Sequence, residues 1–146
     1  MIVEIAITMP HRLIGNWTLV SYDAVAADGS RSLPFGHAVG RLSYDEDGHM
    51  AGQVMRPGRA RVSLGQGNAQ QVRAAYIGYI AYFGRYELNA AGDRVTHFVE
   101  GALNPVWVGG EQVRQLRFDG DLLVLQADVQ KGQQIVKHVL TWRKLP

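Results

Sequence analysis

Short apolar-rich runs alternate along this chain with turn signals, at a spacing that fits many short strands rather than a set of helices. Residues 17–25 read as a first strand, ended by Asp28 and Gly29. Residues 38–44 and 49–56 flank a turn from Asp45 to Gly48, and residues 80–88 and 95–102 flank a second turn from Asn89 to Asp93. Residues 111–118 and 122–128 flank Asp119 and Gly120, an Asp-Gly pair that is the strongest hairpin signal in the chain. Residues 134–144 supply a last strand, which makes eight. One stretch breaks the pattern. Asn68 is a candidate helix N-cap with Gln71 three residues on, as in a capping box, and Val72, Ala75, Tyr76 and Tyr79 then fall at helical spacing. A short helix running into the fourth strand is expected, either across one mouth of the fold or against its outer surface.

Eight strands joined by tight turns can close on themselves and leave no exposed edge. The expected fold class is therefore all-β, an eight-stranded antiparallel up-and-down barrel with one short helix before strand four. Its interior is wide enough for side chains or for one small ligand. The barrel spans residues 13–146, behind an N-terminal extension of residues 1–12. Within that extension, residues 2–7 form either a strand against an edge or partner, or a frayed tail.

Composition removes several functions from consideration. At 146 residues the chain is one domain, and 47% hydrophobic against 19% charged residues is a globular balance, not a disordered one. Cysteine is absent, which excludes disulfides, thiolate zinc sites and cysteine nucleophiles and favours a reducing compartment. Residues 1–10 contain Glu4 and no basic residue, so no cleaved leader is expected. No apolar run approaches the roughly 20 residues that cross a bilayer. A cytoplasmic protein without a membrane partner follows. The formal charge is only +2, and Arg56, Arg59 and Arg61 cluster in a loop with no basic helix or RNA-binding motif around them. A solvated loop, and no nucleic-acid partner, is the reading. His11, His37, His49, His97 and His138 fall at no metal-ligand spacing, and Gly65 and Gly67 lack the lysine of a phosphate-binding loop, so neither metal nor cofactor is expected.

Both ends of the chain point to a family. Gly15, Asn16 and Trp17 open the first strand, and Thr141, Trp142 and Arg143 lie in the last. This resembles the Gly-x-Trp opening of lipocalins and related calycins. The resemblance implies that Trp17 plugs the closed end and that Arg143 lies across it through cation–π contact. The likeness extends through residues 13–22, Pro34 to Gly36, residues 39–44, Asp47 to Met50, residues 79–87, residues 95–100, Asn104 to Gly109, and Gln112 to Arg114. As an ordered set these resemble the microbial lipocalin-like domain family. That implies a calycin barrel without a disulfide, and brings no single reaction with it.

Alternation then groups the candidate functional residues. Tyr82, Gly84, Tyr86 and Leu88 share one face of the fourth strand; Val95, His97 and Val99 share one face of the fifth; Gln112, Arg114, Leu116 and Phe118 share one face of the sixth. Both faces carry apolar residues, so alternation leaves open which one is inward. His97 is a candidate acid–base residue, or else a histidine hydrogen-bonded within the wall. Glu100 is the alternative acid–base residue if it is the inward one, and the two form no dyad unless a bulge intervenes. Tyr82, Tyr86, Gln112 and Arg114 are a candidate polar lining, with Arg114 placed either to hold a ligand carboxylate or to pair with a wall carboxylate such as Glu100. Trp107 either caps the mouth over a ligand or anchors its loop.

Three functions remain. The first is binding of a small, partly apolar molecule inside the barrel. The second is a small-molecule isomerase, cyclase or hydrolase that uses His97 or Glu100. The third is an interaction module whose barrel is filled by its own side chains. The expected partner is a small-molecule ligand, and the expected assembly a monomer or homodimer.

Overall fold

The computed structural model describes residues 12–63 and 65–146. The expectation for residues 2–7, and most of the N-terminal extension, lies outside the described residues. The strands are β1 (Gly15–Val25), β2 (Arg31–Ser32), β3 (Val39–Tyr44), β4 (His49–Met55), β5 (Tyr79–Leu88), β6 (Arg94–Ala102), β7 (Glu111–Asp119), β8 (Leu122–Lys131) and β9 (Gln134–Lys144). All neighbouring pairs are antiparallel, and pairing of β1 with β9 closes the sheet. β2 is a two-residue addition folded onto the end of β1. The other eight strands form the expected up-and-down barrel.

Local chemistry sets the corners. Gly120 follows Asp119 at φ 59°, so the glycine takes the first of two loop positions between the paired residues Asp119 and Leu122. Gly48 ends the β3–β4 turn at φ 91°, where the Asp45 side chain also accepts from the backbone N–H groups of Asp47 and His49. The helix α1 (Ala69–Ile77) has the capping box expected for it: Asn68 accepts from the Gln71 backbone at 2.8 Å and Gln71 accepts in return at 3.1 Å. It buries no residue, leaves Val72, Tyr76 and Ile77 exposed, and contributes no residue to the lining of the barrel's interior cavity. Arg59 ties it down by donating to the Ala75 carbonyl and lying over the Tyr79 ring. Arg56, expected in a solvated loop, is likewise engaged, with the Pro34 carbonyl and the Phe35 ring.

Two irregularities decide which side chains reach the interior. A register shift between Leu19 and Ser21 passes the buried set of β1 from Trp17 to Tyr22 and Ala24. A second shift, opposite Phe83 and Gly84, leaves Glu100 as an extra residue between Val99 and Gly101. There the strands come so close that a Cβ at position 84 would collide with the Phe98 carbonyl, which is why glycine stands in this wall.

One end of the barrel is filled. Leu13, Trp17, Val95, Leu116 and Leu123 are buried there, and Trp17 donates its indole N–H to the Leu13 carbonyl at 2.9 Å. Burying each such side chain contributes about 1.5–3 kcal/mol. The cation over Trp17 is Lys144, with its Nζ 5.0 Å from the ring, and not Arg143. Trp142 is buried, so its neighbour Arg143 falls on the opposite, exposed face, and the next residue, Lys144, returns to the Trp17 side. Lys144 also donates to the Arg12 carbonyl at 2.9 Å, and Arg12 lies 3.8 Å over the Phe118 ring.

Candidate functional site

The other part of the interior is hollow. A cavity of about 430 Å³ is lined by residues from every barrel strand, among them Leu42, Val54, Ile80, Leu125 and Leu140 as apolar wall. The polar lining is Tyr22, Gln53, Tyr82, His97, Gln112, Arg114, Asp128 and His138. The barrel is therefore not filled by its own side chains.

Facing is now resolved. On β5 the set containing Tyr82 is inward, on β6 the set containing His97, and on β7 the set containing Gln112 and Arg114. Five of the sequence-predicted residues meet at the cavity: Tyr82, His97, Trp107, Gln112 and Arg114. Tyr86 does not line it; its hydroxyl donates to the Asp45 carbonyl at 2.6 Å, and its ring meets Tyr44 edge-on with centroids 4.7 Å apart. Glu100 is exposed and absent from the lining, because its position at the bulge turns its side chain to solvent. It therefore forms neither a dyad with His97 nor an ion pair with Arg114. Trp107 both lines the cavity and anchors its loop. A short 3-10 segment (Pro105–Trp107), capped by Asn104, sets its ring edge-on to Tyr82 at 6.0 Å. Two backbone bonds between Val99 and the pair Gly109 and Gly110 fasten that loop to β6.

His97 is the hub. It is 2% exposed and clamped between two hydroxyls, Tyr44 at 2.6 Å from Nε2 and Tyr82 at 2.6 Å from Nδ1. Burial, and secondarily the Arg114 guanidinium, push its pKa from 6.5 down to about 3, so the ring is uncharged at neutral pH. Burial likewise raises the hydroxyls of Tyr22, Tyr44 and Tyr82 above their usual range, while Arg114 pulls each of them back. A second pair lies on the wall, where the Tyr22 hydroxyl meets His138 Nδ1 at 2.7 Å. Burial, Lys131 and Arg114 in turn lower the His138 pKa.

Arg114 is thus the positive centre of a ring of neutral groups. Its own bonds go to the Val113 carbonyl at 2.9 Å and to Gln112 Oε1 at 3.1 Å. Among the described residues no carboxylate forms an ion pair with it. Asp128, the one acidic residue in the lining, is exposed and accepts from Gln126. Trp142, also in the lining, has the one buried side-chain donor without an acceptor among the described residues, its Nε1–H. The arrangement offers an apolar envelope, a cation and several donors. No group of three metal-ligating side chains occurs among the described residues.

Tyr22, Tyr44, His138 and Trp142 were not singled out from the sequence. Their strands were legible, but the bulge in β1 hid the facing of Tyr22, and barrel closure alone brings β9 and β3 to the same interior as β6.

Residues 14–145 match the lipocalin-like domain family. A protein of Aspergillus oryzae named 4'-hydroxy-3'-methoxypropiophenone carrier protein is 36% identical over 110 residues, covering 66% of this chain and 97% of that protein. Among the described residues no helix is long and apolar enough to cross a membrane.

Proposed function

This chain belongs to the lipocalin-like domain family, and on that premise we propose that its barrel binds one small, partly apolar molecule of aromatic ketone or phenol type. The observation that carries the reading is the mainly apolar cavity of about 430 Å³ with Arg114 and Tyr82 in its wall. That volume suits a compact ligand of one ring and a short side chain. The relative's name describes such a molecule: a flat ring with a hydroxyl, a methoxy group and a keto side chain. Leu42, Val54, Leu125 and Leu140 would cover the ring, and Trp107 would lie near the mouth.

His97 supports binding rather than acid–base work. Both ring nitrogens are engaged, and a pKa of about 3 makes it a weak base at neutral pH. It orders the two tyrosines instead.

The test is calorimetric titration with 4'-hydroxy-3'-methoxypropiophenone, alongside quenching of the fluorescence of Trp107 and Trp142. Saturable binding is expected in the native protein. Ala127→Trp, which places an indole in the cavity, is expected to weaken it at least about tenfold, a loss of about 1.4 kcal/mol. Equal binding by the blocked variant would put the ligand outside the barrel and end the proposal.

A further inference from the structure

The tyrosine–histidine–tyrosine chain has a direction. A neutral imidazole offers one donor and one acceptor, so of its two hydroxyl partners one must donate and one must accept. Tyr44 is buried, and among the described residues its hydroxyl has no hydrogen-bond partner other than His97. If Nε2 carried the proton, the Tyr44 hydrogen would be stranded in an apolar surrounding, which is disfavoured by roughly 1–3 kcal/mol. Tyr44 therefore donates to Nε2, and Nδ1–H donates to the Tyr82 oxygen. The Tyr82 hydroxyl is left with its own hydrogen free of His97, on a residue that lines the cavity. Arg114 adds further donors. Of the five N–H groups on a guanidinium, two are engaged by Val113 and Gln112, which leaves three. A cation and an oriented hydroxyl share one cavity, and among the described residues no carboxylate pairs with the cation.

We propose that the ligand is bound as an anion, with an ionised phenol or carboxylate oxygen received by the Arg114 guanidinium and the Tyr82 hydroxyl. This rests on the binding function proposed above and names the charge state the cavity selects. The groups that share Arg114's surroundings are Tyr22 from β1, Tyr44 from β3, Tyr82 from β5, His97 from β6, Asp128 from β8 and His138 from β9. Asp128 is the one acidic residue in that set; it sits exposed at the cavity wall and already accepts from Gln126. A charge-assisted bond from an arginine is about twice as strong as a neutral one, and a bidentate fit adds geometric choice between ligands.

The experiment is a UV–visible pH titration of 4'-hydroxy-3'-methoxypropiophenone, free and bound, because ionising a phenol moves its absorbance. Binding is expected to lower the phenol's pKa by about one unit, which is about a tenfold preference for the anion. Arg114→Met should abolish that shift, Arg114→Lys should keep its sign, and Tyr82→Phe should reduce it. Thermal melts of the three variants identify any that fail to fold. As a second arm, cinnamate should bind at least about tenfold more tightly than cinnamide. The two arms separate phenolate from carboxylate as the preferred anion. A bound phenol with an unchanged or raised pKa, together with cinnamide binding as well as cinnamate, would overturn the anion inference and leave the binding function standing. Failure of every compound to bind would overturn both. The nitrogen NMR shifts of His97 supply a further check, since they should report the proton on Nδ1; a proton on Nε2 would reverse the chain and remove the oriented donor.

Discussion

The two parts of this barrel's interior solve the same geometric problem in opposite ways. Around Trp17 the space is filled by Leu13, Val95, Leu116 and Leu123, and the one polar atom of the indole is satisfied by the Leu13 carbonyl. Around His97 the space is left open, and its polar groups are joined in a chain that ends at the cavity. The first arrangement gains stability from close packing and excludes ligands. The second keeps a cation, free donors and an uncharged histidine in a mainly apolar wall, and such groups contribute little to stability unless something binds them. With the proposed binding function, stability and recognition are separated along one barrel, and substitutions in the two parts should fail differently.

The largest effect is expected at the filled end. Trp17→Ala removes a buried indole and its hydrogen bond, and should lower unfolding free energy by about 3–5 kcal/mol in denaturant titration. If the protein is marginally stable this variant will not fold, whereas Ala127→Trp in the cavity should fold and lose binding. Equal stability loss at both positions would erase the distinction between the two parts.

A smaller effect belongs to His97. The folded protein keeps this ring neutral down to a pKa of about 3, while the unfolded chain protonates near 6.5. Unfolding therefore takes up a proton as pH falls through that window, and stability present above 6.5 is lost progressively toward 3. At about 1.4 kcal/mol per pH unit, the loss by pH 5 is about 2 kcal/mol. His138, whose pKa is also lowered by burial, acts in the same direction. His97→Phe should flatten this dependence, and should cost about 1–3 kcal/mol at pH 7 by stranding the Tyr44 hydroxyl. Denaturant midpoints measured from pH 7 to pH 5 check both points. An unchanged slope in the variant would mean that His97 titrates normally in the folded protein.

The smallest effect lies at the rim of the filled end. Lys144→Ala should lower stability by about 0.5–1 kcal/mol through the lost contact with Trp17. Arg143→Ala, at an exposed position, should stay within about 0.5 kcal/mol of the native protein in the same melts. The reverse order would restore Arg143 as the partner of Trp17.

The contrast also explains what the sequence could and could not tell. Hairpins were legible because their chemistry is local: Gly48 and Gly120 stand where positive φ is needed, and Asn68 and Gln71 close a capping box within one turn. The facing sets on β5, β6 and β7 were legible as groups, because period two holds within each strand. Their direction was not, because apolar residues occupy both faces. Trp17 lies buried at the filled end with Lys144 rather than Arg143 over its ring, since a single step along β9 changes the face. The sequence leaves the facing of Glu100 open for a related reason, because the bulge that isolates it depends on the close approach of Gly84 to a different strand. Most of the cavity's polar logic is non-local. Tyr44 and His97 are 53 positions apart and Tyr22 and His138 are 116 apart, so neither pair has a signature in sequence spacing.

The central claim is that the hollow part of the barrel is a ligand site and the filled part is not. The most direct measurement is a residue-resolved NMR titration with 4'-hydroxy-3'-methoxypropiophenone. The expected result is saturable shifts at Tyr82, His97, Arg114 and Trp142, with Leu13, Trp17 and Leu123 unmoved. Signals that stay in place at saturating ligand, or that move only at the filled end or on the outer face of α1, would contradict the account.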